Sequence, residues 1–180
     1  MVGIHNGIIV NEDKLRKVSP ELEQHAQVDT EAVLSLLRYF YRQNEDLIAA
    51  VQRVFALLEG TASIAVLFDD LDCLLLVTNN GSLYTATDDN QRLQIFASEK
   101  HILREGIKRT YLSHRIAPSA ITHLEAGRGL LVDTAGSSII PFSLFLTNAS
   151  RDEKADVMGA VKKSIHVHPN GTAGGSFLEK

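Results

Sequence analysis

Between Ala62 and Ala97 the chain carries four short apolar or β-branched runs, at 62–68, 73–78, 82–87 and 93–97. Each is cut off by turn formers: Asp69-Asp70-Leu71-Asp72, Asn79-Asn80-Gly81 and Asp88-Asp89-Asn90. Strand-length runs separated by such clusters read as an antiparallel meander. Asn80-Gly81 favours a tight hairpin, because both residues tolerate positive φ. The unbroken apolar stretch Leu74 to Val77 suits a strand buried on both faces.

Two amphipathic helices are expected ahead of the meander. From Thr30, the residues Val33, Leu36, Leu37, Phe40 and Tyr41 recur at i, i+3, i+4 spacing. Asp29 or Thr30 is placed to cap this helix, and Glu31 sits well in its first turn. In the second, Asn44 is the expected cap, Ile48, Val51, Phe55 and Leu58 form the stripe, and Gly60 is the left-handed stop. Upstream, residues 3–10 end in Ile8-Ile9-Val10, a strand closed by Asn11-Glu12-Asp13, with a short helix at 13–17 ended by Ser19-Pro20. Downstream, the pattern predicts a helix at 99–108 carrying Ile102, Leu103 and Ile107 on one side. Strands are expected at 121–124, 129–133 and 138–142, with Gly127-Arg128 as a turn. Helices, then a sheet, then another helix make an α+β arrangement.

A chain of 180 residues suits one domain, expected over 1–146. From 147 to 180, charge mixed with small residues, ending in a Pro169-Asn170-Gly171 to Gly175-Ser176 stretch, predicts a flexible tail. The formal charge of −4 is scattered, with no basic footprint for nucleic acid or an anionic membrane. Cys73 is the single cysteine, which excludes an internal disulfide and a Cys-rich zinc site and agrees with a reducing cytoplasm. The first residues lack the basic and apolar regions of a secretion signal, and no apolar run approaches ~18 residues, so a soluble cytoplasmic protein is expected. No cofactor is expected. His166 and His168 could touch a metal but lack a third ligand, a weak site, and no metal is expected.

Four segments, in order, carry a family likeness: His5-Asn6-Gly7-Ile8-Ile9-Val10-Asn11 with Leu15; Asp29-Thr30-Glu31-Ala32-Val33; Leu58-Glu59-Gly60-Thr61-Ala62-Ser63-Ile64-Ala65; and Phe96-Ala97-Ser98-Glu99 with Leu103. Together, over residues 3–142, they resemble the class II, N-terminal-nucleophile (Ntn) glutamine amidotransferases, and most closely the glutaminase domains of glucosamine-6-phosphate synthases. The resemblance implies an Ntn-hydrolase-like αββα sandwich, two mostly antiparallel sheets stacked between helical layers. It also implies a glutaminase that releases ammonia from glutamine for an acceptor such as a sugar phosphate.

By that resemblance Asn6 and Gly7 are the oxyanion-hole pair, the asparagine through its side-chain amide and the glycine through its backbone N–H. Asp29 is the carboxylate that holds the α-ammonium of glutamine. Such an enzyme uses an N-terminal cysteine whose own α-amine is the base. Neither that cysteine nor the family's arginine-containing segment stands before His5 in this sequence. The sandwich is therefore expected to be incomplete and inactive alone, with apolar surface left open for a complementing N-terminal chain or for self-association. Cys73, inside a strand, reads as a small buried apolar residue, and His5 as a structural neighbour of the oxyanion pair. Ser63, Ser98 and Thr61 have no relay partner at motif spacing. The alternative is a non-catalytic module of the same fold that binds a ligand or oligomerises.

Overall fold

The stripe of the first long helix, α2 (Asp29–Arg42), buries Ala32, Val33, Leu36, Leu37 and Phe40. That of α3 (Leu47–Leu57) buries Leu47, Ala50, Val51 and Val54. Both lie on one face of a sheet built from β1 (Val2–Ile9), β2 (Gly60–Phe68), β3 (Cys73–Thr78), β7 (Arg128–Asp133) and β8 (Ile139–Ser143), in that spatial order and antiparallel throughout. The sheet answers with Ala62, Ile64, Val66 and Phe68 from β2 and Cys73, Leu75 and Val77 from β3. These are alternate positions, as one face of a pleated strand requires. The computed structural model describes residues 1–18, 28–43, 46–135 and 138–145.

The intervening residues of the same strands build a second interface. Ala65 and Leu76 pack with Leu83, Leu124, Phe96, Leu74 and Leu130. The opposing layer is a small sheet of β5 (Gln94–Ala97), β4 (Tyr84–Thr87) and β6 (Thr122–His123). Its far side meets α4 (Lys100–Lys108), where Ala86 packs with Leu103, Ile107 and Ile116. Three separate apolar interfaces in succession require four layers, helix, sheet, sheet, helix: the αββα sandwich. β3 is buried on both faces because it lies in the middle of this stack, and all its residues except Leu74 are fully buried.

The expected hairpin at Asn80-Gly81 does not form. β3 pairs with β2 and β7, while β4 leaves for the second sheet. Side chains redirect the chain there. Asn79 Oδ1 accepts from Ala62 N at 2.7 Å and its Nδ2 donates to the Gly60 carbonyl at 3.0 Å. Asn80 Oδ1 collects the Ser63 and Thr78 hydroxyls, both at 2.9 Å, and the Ser82 N–H at 3.0 Å. A turn residue that can reach other strands need not close a hairpin.

Helix ends also depart from expectation. Val28 is the N-cap of α2 and donates no side-chain cap, so Asp29 and Thr30 lie inside the first turn. Asp46 caps α3, its carboxylate accepting from Ala49 N at 2.8 Å; Asn44 lies outside the described residues. Gly60 is not the stop of α3, which ends at Leu57; with φ +120° it opens β2, and Leu58 between them is extended. The α3 stripe consequently turns, leaving Ile48 and Phe55 only partly buried. In α4 Leu103 and Ile107 are buried while Ile102 is 56% exposed. Replacing Asp46 by alanine is expected to cost about 1 kcal/mol in urea unfolding, the worth of one side-chain cap. The expected tail, His166 and His168, and the Ser19-Pro20 stop lie outside the described residues.

Buried Asn11 joins β1 to the helical layer. Its Nδ2 donates to the Leu57 carbonyl at 2.8 Å, and its Oδ1 accepts from Glu59 N at 2.9 Å. Its own carbonyl opens α1 (Glu12–Val18), accepting from Lys14 N and Leu15 N. One asparagine thereby satisfies the frayed end of α3 and fixes where β1 stops.

Candidate active site along the edge of β1

β1 is an edge strand of the five-stranded sheet, paired on one side only among the described residues. Its register with β2 runs unbroken from Val2↔Leu67 to Ile9↔Gly60. Just beyond, Val10 N donates to the Glu59 carbonyl at 2.9 Å. Antiparallel ladders alternate bonded and unbonded pairs, so the N–H groups of Gly3, His5 and Gly7 turn to the open edge. Gly7 has φ +151°, and a Cβ there would stand 2.0 Å from the Thr61 carbonyl oxygen. Only glycine fits.

The residues singled out from sequence surround this edge on both faces. Asn6 pairs with Ser63, two residues from Ala65, and so faces the second sheet. It lines a cavity of ~130 Å3 between the sheets with Ile4, Ser63, Ser82, Phe96 and Ser98. His5 pairs with Ile64 of the helix-side core and turns the other way, where its side chain is 4% exposed. There its Nδ1 lies 3.6 Å from Asp29 Oδ1 and 3.4 Å from Thr30 Oγ1. Asp29, 31% exposed, stands at the positive end of α2 and also accepts from Thr30 Oγ1 at 3.3 Å. Asp29 touches His5 and Thr30, and not Asn6 or Gly7; His5 is the link. On the same helix side, Gly3, Thr30, Leu34, Arg38 and Tyr39 line an open groove of ~720 Å3. Arg38 is committed there, held by both oxygens of Asp70 at 2.6 and 3.0 Å and stacked over Phe68.

Two features of the site were not legible beforehand. Behind Asn6, the buried Ser63 and Thr78 hydroxyls lie 2.7 Å apart and share Asn80 Oδ1, a polar floor assembled from two strands and a loop. No local motif marks it. The burial of His5 follows only from the register, which one sequence does not contain.

Cys73 faces the helix-side core, 1% exposed. Burial first, and then the neighbouring Asp133 charge, push its thiol up to about 12. A thiol held protonated is a poor nucleophile. Native protein at pH 8 is expected to resist iodoacetamide at Cys73 and to react once unfolded in urea, which mass spectrometry reads directly. Among the described residues, Ser98 and Ser63 have no histidine or carboxylate relay, and no cluster of three or more His, Cys, Asp or Glu could hold a metal. No helix of the described residues is long and apolar enough to cross a membrane.

Two antiparallel sheets stacked between helices, with a glycine-bearing strand edge as the candidate site, define an Ntn-hydrolase-type fold. The chain belongs to the glutamine amidotransferase domain family, whose model matches residues 1–105. It is 26% identical over 211 aligned positions to glutamine–fructose-6-phosphate aminotransferase (isomerizing) of Legionella pneumophila strain Lens, covering 94% of this chain and 34% of that protein. The same enzyme of Rhizobium leguminosarum bv. viciae is 34% identical over 80 residues, 43% of this chain and 13% of the relative. The chain thus spans about a third or less of the curated relatives it matches. Among solved structures, glutamine phosphoribosylpyrophosphate amidotransferase from B. subtilis, complexed with ADP and GMP, superposes with TM-score 0.60 at 15% identity, covering 81% of this chain and 29% of that one. A structure described as the allosteric regulatory enzyme of purine biosynthesis gives 0.59 at 16%, covering 81% and 28%. The likeness to these structures is one of fold, and the sandwich expected from the sequence is the one observed.

Proposed function

We propose that the open edge of β1 is the glutamine site of this amidotransferase domain. Asn6 Nδ2 and the outward Gly7 N–H donate to the amide oxygen as it becomes an oxyanion, and Asp29 takes the α-ammonium. The observation that carries this is the disposition of the three around a single strand edge, in a chain of this family. Preset donors of this kind stabilise charge that develops only in the transition state. A thiolate attacks the amide carbon, the C–N bond breaks, the nitrogen leaves as ammonia after protonation, and water then cleaves the thioester. The ammonia serves an acceptor such as a sugar phosphate, in keeping with the names of the relatives.

The thiolate is not Cys73. We assign it to a cysteine-initiated segment or chain that seats on the open edge of β1. Val2, Ile4 and Ile8, 70%, 61% and 69% exposed on the face toward the second sheet, support such a cover, as does the unpaired ladder beside them. A cytoplasmic setting fits a catalytic thiol kept reduced.

Equilibrium dialysis with labelled glutamine, paired with an ammonia assay, tests this. These 180 residues are expected to retain glutamine without hydrolysing it, and to release ammonia once a cysteine-initiated family segment is supplied. Hydrolysis unaided, abolished by Cys73→Ser, would overturn the assignment of the nucleophile. Retention with no hydrolysis even after complementation is the result expected of a non-catalytic binding module. That second reading is favoured by the burial of the sole cysteine.

A further inference from the structure

His5 takes no part in the chemistry proposed for the β1 edge. Its ring is buried, and Nε2 is a buried polar atom without a partner among the described residues. Such atoms are uncommon in a folded protein, because each forfeits its hydration with nothing in return. The other ring nitrogen is in polar company: Thr30 Oγ1 at 3.4 Å and Asp29 Oδ1 at 3.6 Å. The hydroxyl itself donates to the same carboxylate oxygen at 3.3 Å. With the proton on Nδ1, the ring donates to the Thr30 hydroxyl, which in turn donates to the Asp29 carboxylate, the N–H dipole lies 3.6 Å from that carboxylate, and Nε2 is left as a bare lone pair. With the proton on Nε2, an N–H would be buried with nothing to receive it while a lone pair faced the carboxylate. The first tautomer satisfies more of the site.

Nε2 has its own neighbour. It lies 2.9 Å from the point where a Cβ on Gly7 would stand. One flat ring therefore rests beneath the Gly7 peptide at one nitrogen and beside Asp29 at the other, spanning the two ends of the proposed glutamine site. Among the described residues, no other side chain joins them by a hydrogen bond or ion pair. Asp29 has no side-chain capping duty in α2, whose N-cap is Val28, so its carboxylate is oriented by His5 and Thr30 and not by the helix backbone.

We propose that His5 is a positioning residue for substrate: through Nδ1–H it aims the Asp29 carboxylate at the α-ammonium of an ω-amide amino acid, while its ring sets where that carboxylate stands relative to Gly7. It touches no reacting atom. The inference rests on the glutamine-site reading above and adds that ammonium recognition depends on His5.

The test is calorimetric titration of the full chain with glutamine and with glutaramate, which keeps the ω-amide and carboxylate but lacks the α-ammonium. His5→Phe keeps a flat ring and removes the donor; His5→Asn places an amide N–H near the Nδ1 position. His5→Phe is expected to weaken glutamine at least tenfold and leave glutaramate within about twofold, with His5→Asn within about threefold of wild type for both. Thr30→Val, which removes only the intervening hydroxyl, is expected to weaken glutamine about threefold and serves as the second arm should the phenylalanine variant not fold. Equal losses for both ligands in His5→Phe, or no loss for glutamine in any variant, overturn the positioning role. If wild type binds neither ligand, or Asp29→Asn binds glutamine as wild type does, the glutamine-site reading itself fails and takes this one with it.

Discussion

Gly7→Ala is expected to destabilise the domain by about 3 kcal/mol or more in urea unfolding and to eliminate glutamine binding with it. The new methyl carbon would stand 2.0 Å from the Thr61 carbonyl oxygen and 2.7 Å from its carbon, both backbone, and 2.9 Å from buried His5 Nε2. A side chain could swing away; a carbonyl inside an unbroken β1–β2 ladder can yield only by breaking the register. The backbone at φ +151° adds strain that an L-residue rarely accepts. Gly106→Ala is the matched control. Gly106 lies within α4 with nothing within 4 Å of the added Cβ, so alanine there is expected to stabilise by about 0.5–1 kcal/mol. If both substitutions behave alike, the close approach at Gly7 is not what holds that position.

Asp29→Asn is expected to weaken glutamine 10- to 100-fold while leaving the unfolding midpoint nearly unchanged. The carboxylate is 31% exposed and makes no side-chain cap in α2, so the fold asks little of it. A charge-assisted hydrogen bond from an ammonium, by contrast, contributes about 1.5–3 kcal/mol, and the neutral amide keeps the shape and loses the charge. Isothermal calorimetry on wild type and variant, with a urea melt of each, separates the two effects. A large drop in stability with no change in affinity would make Asp29 a structural residue.

The order of elements was legible because it rests on local signals. The 3.6-residue stripe of α2 and the turn clusters at 69–72 and 88–90 act within a few residues, and each appears where expected. Asn79-Asn80-Gly81 misled for a physical reason: Asn79 and Asn80 bond to β2, a partner 17 residues upstream, and that long-range choice sends β4 to the other sheet. Capping failed similarly. Asp46 and Asn44 are both good caps, and only packing decides which turn is first. Of the site, the likeness picked out Asn6, Gly7 and Asp29 one at a time. What no local pattern holds is that β1 is an edge, that the backbone N–H groups of its odd residues face that open edge, and that His5 is buried between Asp29 and Gly7. Those facts come from register, and register is set by residues some 60 positions away.

The most direct measurement is an amide-resolved NMR titration of the isotopically labelled chain with glutamine. The account predicts saturable shifts centred on the Gly7 N–H, the Asn6 side-chain amide and the first turn of α2 at Asp29 and Thr30, with β7 and β8 silent. Saturable shifts elsewhere, or none up to solubility, would contradict a glutamine site at the edge of β1.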